Sequence, residues 1–286
     1  MRARGFTLIE MITVITITGI VAAMVAVFIR APVQGYVDSV RRAWMTDVAD
    51  TALRRIARDV QAALPNSLRP NSACVASTTT SCGIELLLTT TGGRYSEDAA
   101  DAAGCFAGGC TTLTSLGSVI SANGELAGQR LIIYNLHNND SGTCSATYPS
   151  AYCGNNSATI TGSTDAGTSD TFSFGNTAFR PATGSPSRTF FVVSGPVAYV
   201  CANVGASGGN GTGTLWRFEN YPIASGATFP PVGGTARLLA HHVSACNLNY
   251  APAVAGTNGL LELYLEIMEE GERVGLHHEV HVDNAP

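Results

Sequence analysis

Apolar residues fill the first part of the chain almost without interruption. Residues 6–29 contain one ionisable side chain, Glu10. Written as an α-helix, this run is about 36 Å long, which exceeds a bilayer hydrocarbon core of about 30 Å. We therefore expect a membrane-spanning helix over residues 6–29. Arg2 and Arg4 precede it without acidic neighbours, which predicts a cytoplasmic N-terminus and an exported remainder.

A second helical pattern covers residues 33–64, where apolar side chains recur every three or four positions. Pro32 and Gly35 lie between the two apolar segments and predict a kink or break. Pro65 disfavours helical geometry in the residue before it, so we expect the amphipathic helix to end there. The apolar stripe consists of Val33, Val37, Val40, Trp44, Val48, Ala52, Ile56, Val60 and Leu64.

Residues 66–286 are typical of a β-rich globular domain. Residues 71–185 are rich in small polar residues and are interpreted as a possible loop-rich insertion. Two apolar runs within it, 84–90 and 130–136, predict strands. The fold class expected is α+β: a long N-terminal helix followed by a mainly antiparallel β head.

The last hundred residues carry stronger strand signals. Residues 188–203 predict a strand disturbed at Gly195-Pro196. Further strands are expected within 214–222 and 241–250, and residues 259–282 predict a hairpin that turns at Glu269–Glu272. The glycine-rich stretch between the first two of these strands is interpreted as a flexible hairpin loop.

Cysteine usage favours an oxidising compartment. The eight cysteines form an even number, include no C-x-x-C pair and are not interleaved with histidines at zinc-site spacing. Eight cysteines allow 105 pairings, so spacing ranks them without fixing them. Short loops favour Cys74–Cys82, Cys105–Cys110 and Cys144–Cys153, which leaves Cys201–Cys246 as the long bridge.

Composition removes several kinds of chemistry. All 16 basic residues are arginine, which excludes lysine Schiff bases and the phosphate-binding lysine of a P-loop. Nucleophile-elbow, zinc-protease and kinase motifs are also missing from the sequence, so we predict neither an enzyme nor a cofactor. Without residues 1–5 the chain has 14 arginines against 21 acids, a formal charge of −7. An acidic body does not attract nucleic acid in general.

Histidines are the strongest candidates for metal chemistry. His277, Glu279 and His281 alternate onto one face of the last predicted strand, and His241-His242 would add a further pair of zinc ligands if the two strands lie close together. Residues 137–142 have a composition that suits calcium, but turns use the same residues. Since neither set has a full ligand pattern, we predict no metal.

A basic stripe on the second helix offers a DNA-binding alternative. The acids Asp47, Asp50 and Asp59 interrupt it, and it lacks stacking aromatic residues apart from Trp44 of the apolar stripe. We therefore expect no nucleic-acid partner. The basic residues concerned are Arg41, Arg42, Arg54, Arg55 and Arg58.

The N-terminus resembles a known processing signal. Arg2 and Arg4, then Gly5, then Phe6-Thr7-Leu8-Ile9-Glu10 and an apolar helix are similar to the class III leader of type IV pilins and type II secretion pseudopilins. The resemblance implies that a prepilin peptidase removes residues 1–5 and that Phe6 is then N-methylated. It also implies that Glu10 pairs with the terminal amine of a neighbouring subunit during assembly.

Several blocks resemble one subgroup, the O-type minor pilins of mannose-sensitive haemagglutinin (MSHA) pili. They are "YVDSVRRA", "ALPNSLRP", "FFVVSGPVAYVC", "LWRFENYP" and "VHVDNAP". The J-type minor pseudopilins of type II secretion are similar in the long helix and β-rich body and remain an alternative, as does a DNA- or receptor-binding tip pilin. K-type tip subunits usually lack an acid at this position, so the presence of Glu10 argues against that class.

The resemblance implies a lollipop-shaped subunit anchored once in the inner membrane, with a periplasmic head, that later enters a pilus or pseudopilus. Expected partners are the major and other minor pilins, the prepilin peptidase and an inner-membrane assembly platform with its ATPase. The expected role is assembly or initiation of the pilus.

Overall fold

The structure of the protein is a computed structural model that describes residues 6–71, 81–96, 102–139, 141–145, 147–252 and 258–285. It contains a long helix, α1 (Leu8–Gln61), followed by a β-rich head. The chain divides into two compact units, Met1–Asp47 and Val48–Pro286, so α1 contributes to both. The predicted fold class is confirmed: one long apolar helix precedes an antiparallel, disulfide-containing β head.

Helix α1 continues through Pro32, so the break predicted there is wrong, while the kink predicted as its alternative stays a prediction. The physical reason is that one proline removes one donor from the hydrogen-bond ladder, and the long helical segments on both sides keep their own bonds. Helix α1 ends at Gln61, three residues before the predicted end at residue 64, and the Leu64 amide donates to the Leu87 carbonyl at 2.8 Å.

Thirteen strands and a short helix follow within the described residues. In chain order they are β1 (Arg69–Pro70), β2 (Ser81–Arg94), α2 (Ala102–Ala107), β3 (Cys110–Thr114), β4 (Arg130–Ile133), β5 (Ser157–Asp165), β6 (Asp170–Thr177), β7 (Thr189–Ala202), β8 (Ala206–Ser207), β9 (Asn210–Gly211), β10 (Gly213–Glu219), β11 (Thr235–Ala251), β12 (Gly259–Glu269) and β13 (Glu272–Val282).

Strand β7 organises the main sheet. It pairs along its length with β2, while its first half also pairs with β4 and its second half with β10. Two antiparallel branches extend from these contacts, β10-β11-β12-β13 and β4-β5-β6-β3. The β2–β7 register shifts opposite Gly195, which confirms the predicted disturbance in this strand.

The terminal hairpin follows the sequence pattern closely. Strands β12 and β13 pair from Gly259↔Val282 to Glu269↔Glu272, and Gly271 has a φ of 84°, which suits glycine in a tight turn. The inward-facing side chains of β12 are fully buried, as the alternation predicts. They are Leu261, Leu263, Leu265 and Ile267. The glycine-rich loop is a small hairpin of β8 and β9 with Gly208 and Gly209 at positive φ.

The middle of the chain is part of the sheet and not a set of loops added to it. Strand β4 pairs directly with β7, and β5 and β6 extend the same branch. This branch has its own aromatic and aliphatic core, which includes Leu131, Phe172 and Phe190. The proposed insertion 71–185 therefore shares strands and core with the C-terminal half of the head.

The final turns of α1 supply one buried face to the head. The predicted stripe residues Ala52, Ile56 and Val60 are each at most 2% exposed, which confirms this part of the stripe. Leu53 is also buried. The burial of these side chains explains why the sequence keeps helical periodicity to the last turn of α1.

Candidate functional site

The N-terminal part of α1 presents apolar side chains on all sides. Phe6 and Leu8 are more than 80% exposed, and the other large apolar residues through Ile29 are also exposed. Among the described residues, α1 is the one helix long and apolar enough to cross a membrane. A helix that is apolar all round fits a lipid environment or contact with other helices.

Hydroxyl groups inside this segment are satisfied by the helix itself. Thr13, Thr16 and Thr18 donate to the carbonyl oxygens four residues earlier, at 3.0, 3.0 and 2.6 Å. Such internal bonds allow threonine to lie in an apolar environment without an unpaired donor. The carboxylate of Glu10 is the one charged group of residues 6–29.

Glu10 lies in the first turn and forms a capping box with Thr7. The Thr7 amide and hydroxyl donate to Glu10 Oε2, each at 3.4 Å, and the Glu10 amide donates to Thr7 Oγ1 at 3.3 Å. This arrangement satisfies donors that the start of a helix leaves open. The bonds are long and Glu10 remains exposed, so its carboxylate is accessible to another partner.

The predicted processing site lies at the edge of the described residues. Phe6 is described and highly exposed, whereas Gly5 and the rest of residues 1–5 lie outside the described residues.

Three disulfides are present in the described part of the head. They join Cys105 to Cys110, Cys144 to Cys153 and Cys201 to Cys246. The last connects β7 to β11, which both pair with β10, and both of its cysteines are buried. The expected pair Cys74–Cys82 includes Cys74, which lies outside the described residues.

The histidines considered as metal ligands are separated by the sheet. His277, Glu279 and His281 are exposed on β13, at the edge of the sheet, whereas His241 pairs with Thr214 on the far side of β11. His277 instead contacts the Tyr264 ring, with 4.8 Å between ring centroids. In the described part of the chain, groups of three or more potential ligands that could hold a metal ion do not occur. For the calcium alternative, Asp140 lies outside the described residues.

The basic stripe, which lies in the second half of α1, takes part in a charged network that the sequence did not predict. Asp59, one of the acids that interrupt the stripe in the sequence, is only 4% exposed. It accepts hydrogen bonds from the Tyr199 hydroxyl at 2.6 Å and from Arg217 Nε at 2.8 Å. Arg55 Nε lies 3.4 Å from the other Asp59 oxygen without the alignment of a hydrogen bond.

The network continues to the beginning of β11. Arg217 also donates to Glu219, and Arg237 Nε donates to the other Glu219 oxygen at 2.8 Å. Hydrogen bonds from Arg237 and Arg217 lower the pKa of Glu219. Burial opposes the charge of Arg217, yet its bonds to Glu219 and Asp59 raise its pKa above the usual value. Burial, and then the bond to Asp59, raise the pKa of Tyr199.

Part of this network has a signal in the sequence. Side chains of a strand alternate between its two faces, so Arg217 in β10 lies on the same face as the buried Leu215. This alternation predicts that the Arg217 side chain points into the head. On α1, Asp59 lies three residues after Ile56 and therefore next to the apolar stripe. A buried acid and a buried base of this kind are expected to pair, because either one alone is costly.

A second buried network fixes the start of β2. Arg69 donates through Nε and Nη2 to Glu85 Oε1, at 3.0 and 2.6 Å, and both side chains are at most 4% exposed. The Arg69 guanidinium lies 3.6 Å from the Tyr152 ring centroid, and the Tyr221 hydroxyl donates to Glu85. Burial and the Glu85 charge raise the pKa of both tyrosines. This cluster has a structural role, since its groups satisfy one another.

Residues 1–26 match the family model described as the prokaryotic N-terminal methylation motif. No curated protein and no solved structure matches the chain. The motif supports a class III leader of the type IV pilin kind, with the processing by a prepilin peptidase that such a leader implies. Together with the exposed apolar helix, it indicates membrane anchoring and a pilin- or pseudopilin-like role.

Proposed function

We propose that the chain is a minor pilin that takes part in the assembly or initiation of an MSHA-like type IV pilus. It acts as a structural subunit and not as an enzyme. In this proposal residues 1–5 are the leader, residues 6–29 span the inner membrane, and residues 66–286 form a periplasmic head. The prepilin peptidase cuts between Gly5 and Phe6, and Phe6 becomes the methylated N-terminus.

One observation carries the proposal: the methylation motif, residues 1–26, includes the start of an exposed apolar helix with a single accessible acid, Glu10. A carboxylate surrounded by hydrocarbon or apolar helices needs a cation. The next cationic side chain along α1 is Arg30, more than five helical turns away. Cleavage before Phe6 creates an α-amine at the same end of the helix, and the amine of a neighbouring subunit supplies the missing charge.

The Thr7–Glu10 capping box fits the same role. It gives the carboxylate weak partners within its own chain before assembly. A charge-assisted bond to an α-amine is stronger than a long bond to a neutral donor, so assembly exchanges the weak partners for a better one.

The proposal is tested by Glu10→Ala in cells that carry the complete pilus system. The variant should be inserted and processed normally but should co-purify poorly with other pilins, because its neighbour's α-amine is left unpaired. Breaking a buried pair typically costs about 3–5 kcal/mol. Thr13→Ala is a matched control in the same segment. Normal co-purification of Glu10→Ala would show that this acid is not an assembly contact.

A J-type pseudopilin of type II secretion is the second candidate, because the leader motif and the long exposed helix are common to both classes. Deletion of the gene distinguishes them. Loss of surface pili with normal protein secretion supports the proposal, and loss of secretion with normal pili favours the pseudopilin.

A further inference from the structure

A groove of about 750 Å³ lies between the last turns of α1 and the strands β10 and β11. One wall is a face of the helix that includes Arg54, Arg55 and Arg58, and the other carries Arg217, Glu219 and Arg237. Thr51, Ala52 and Leu239 complete the lining. The groove is thus lined by five arginines and one acid on a chain whose formal net charge is −5.

The positive charge of the groove is divided between a neutralised floor and a cationic rim. At the floor, Arg217 is 4% exposed and is held by Asp59 and Glu219. At the rim, Arg237 is 65% exposed and uses Nε for Glu219, while Arg54 is 71% exposed and uses Nε for Asp50. Both rim arginines therefore pair with an acid and still keep most of the side chain accessible to a ligand.

Arg58 is the clearest excess charge. Its side chain makes no hydrogen bond or ion pair within the described part of the chain, although Asp59 is adjacent in sequence. Asp59 instead points inward to Tyr199 and Arg217. The fold therefore turns an acid of the helix away from the groove and leaves the neighbouring arginines facing it.

The chemistry of the rim selects carboxylates. A guanidinium offers a planar pair of donors that matches both oxygens of a carboxylate, and two arginines of the groove already bind carboxylates through Nε: Arg217 binds Asp59 and Arg237 binds Glu219. The lining contains no aromatic side chain on which nucleic-acid bases could stack. A recessed groove also suits a protruding peptide segment better than the flat surface of a membrane.

We propose that this groove binds a carboxylate-rich segment of a neighbouring pilin subunit, an inference that rests on the proposed function as a subunit of an assembly. The contact adds a head-to-head site to the one made by Glu10. It gives the subunit a preference among partners, because acids opposite the rim are attracted and bases there are repelled.

The first test measures binding of fluorescein-labelled poly-L-glutamate to the detergent-solubilised full chain. The double variant Arg58→Gln/Arg237→Gln should raise the dissociation constant about fivefold or more, as loss of two partly exposed ion pairs predicts. Glu219 keeps its bond to Arg217 in this variant, so the fold is not expected to change. The matched control is Arg180→Gln/Arg273→Gln, which removes two arginines outside the groove and should leave binding unchanged.

Equal binding by wild type and the groove variant would overturn the proposal. Competition experiments assign the ligand class. The competitors are a short DNA duplex and soluble dihexanoyl phosphatidylglycerol. If either displaces labelled poly-L-glutamate at a lower concentration of negative charge than unlabelled poly-L-glutamate does, the assignment to a peptide segment is overturned. Weak displacement by both supports it.

The second test separates this proposal from the proposed function. Arg58→Glu/Arg237→Glu should reduce co-purification with other pilins while Phe6 processing remains normal. If Glu10→Ala prevents assembly but the charge-reversal variant assembles normally, the groove proposal is wrong and the pilin proposal stands. If neither processing nor assembly occurs in the wild type, the proposed function itself is wrong.

Discussion

The ion pair between Asp59 and Arg217 should contribute more to the stability of the head than any exposed pair on the same helix. Asp59→Asn removes the charge that holds Arg217 and also weakens the bond from Tyr199. The two charged side chains are only 6% and 4% exposed, so water does not replace the lost partner. Breaking such a buried pair costs about 3–5 kcal/mol. Because Arg217 retains Glu219, we expect the lower end, about 3 kcal/mol.

The matched control is Asp50→Asn on the same helix. Asp50 pairs with Arg54 at 2.7 Å, but these side chains are 43% and 71% exposed. An exposed pair at this spacing contributes little to stability, so Asp50→Asn should leave the head nearly as stable as the wild type. The two substitutions make the same chemical change and differ in burial.

The assay is urea denaturation of the full chain in detergent, followed by the fluorescence of Trp216, which lies next to Arg217 in β10. With an m-value of about 3 kcal/mol/M, Asp59→Asn should lower the midpoint by about 1 M at an unchanged slope. Adding Arg217→Met should restore part of the loss, since it removes the stranded charge. Similar midpoints for Asp59→Asn and Asp50→Asn would refute the assignment of a buried pair.

Two further predictions concern the head. Cys201→Ser should destabilise it by about 4 kcal/mol and Cys105→Ser by about 2 kcal/mol on the chain-entropy model, because the two bridges close separations of 45 and 5 residues. Denaturation under oxidising conditions measures both losses of stability. Equal losses for the two variants would contradict this ranking. Glu219 has a lowered pKa in the folded state, so its stabilisation is present above the unfolded pKa near 4.5 and is lost as pH falls through the folded value. Glu219→Gln should therefore flatten the acid side of the stability profile by a small amount, since the group is partly exposed. Identical profiles for wild type and Glu219→Gln would exclude this role.

Local patterns predicted the parts of the fold in which one face is buried. Three features depend only on neighbours in sequence: the alternation of apolar and polar residues in β12, the β12–β13 turn, and the helical periodicity near Ile56. The structure has all three as predicted. Helix α1 also continues through Pro32. The rule that proline breaks a helix overestimated the effect of one missing hydrogen-bond donor.

Long-range placement was less accessible from the sequence. The pairing of β4 with β7 joins segments about 60 residues apart, and its short apolar run did not indicate a partner. The sequence around Asp59 likewise does not indicate its partner, because Arg217 of β10 lies 158 residues further along the chain. In the N-terminal segment the sequence placed Glu10 on an apolar helix, but the capping box with Thr7 needed atomic positions.

The most direct measurement is mass spectrometry of the N-terminal peptide from pili sheared from cells. The account predicts a mature chain that lacks residues 1–5 and begins with N-methylated Phe6, and it predicts that this peptide disappears when Gly5 is replaced by a larger residue. An intact Met1 terminus in functional filaments would contradict the account.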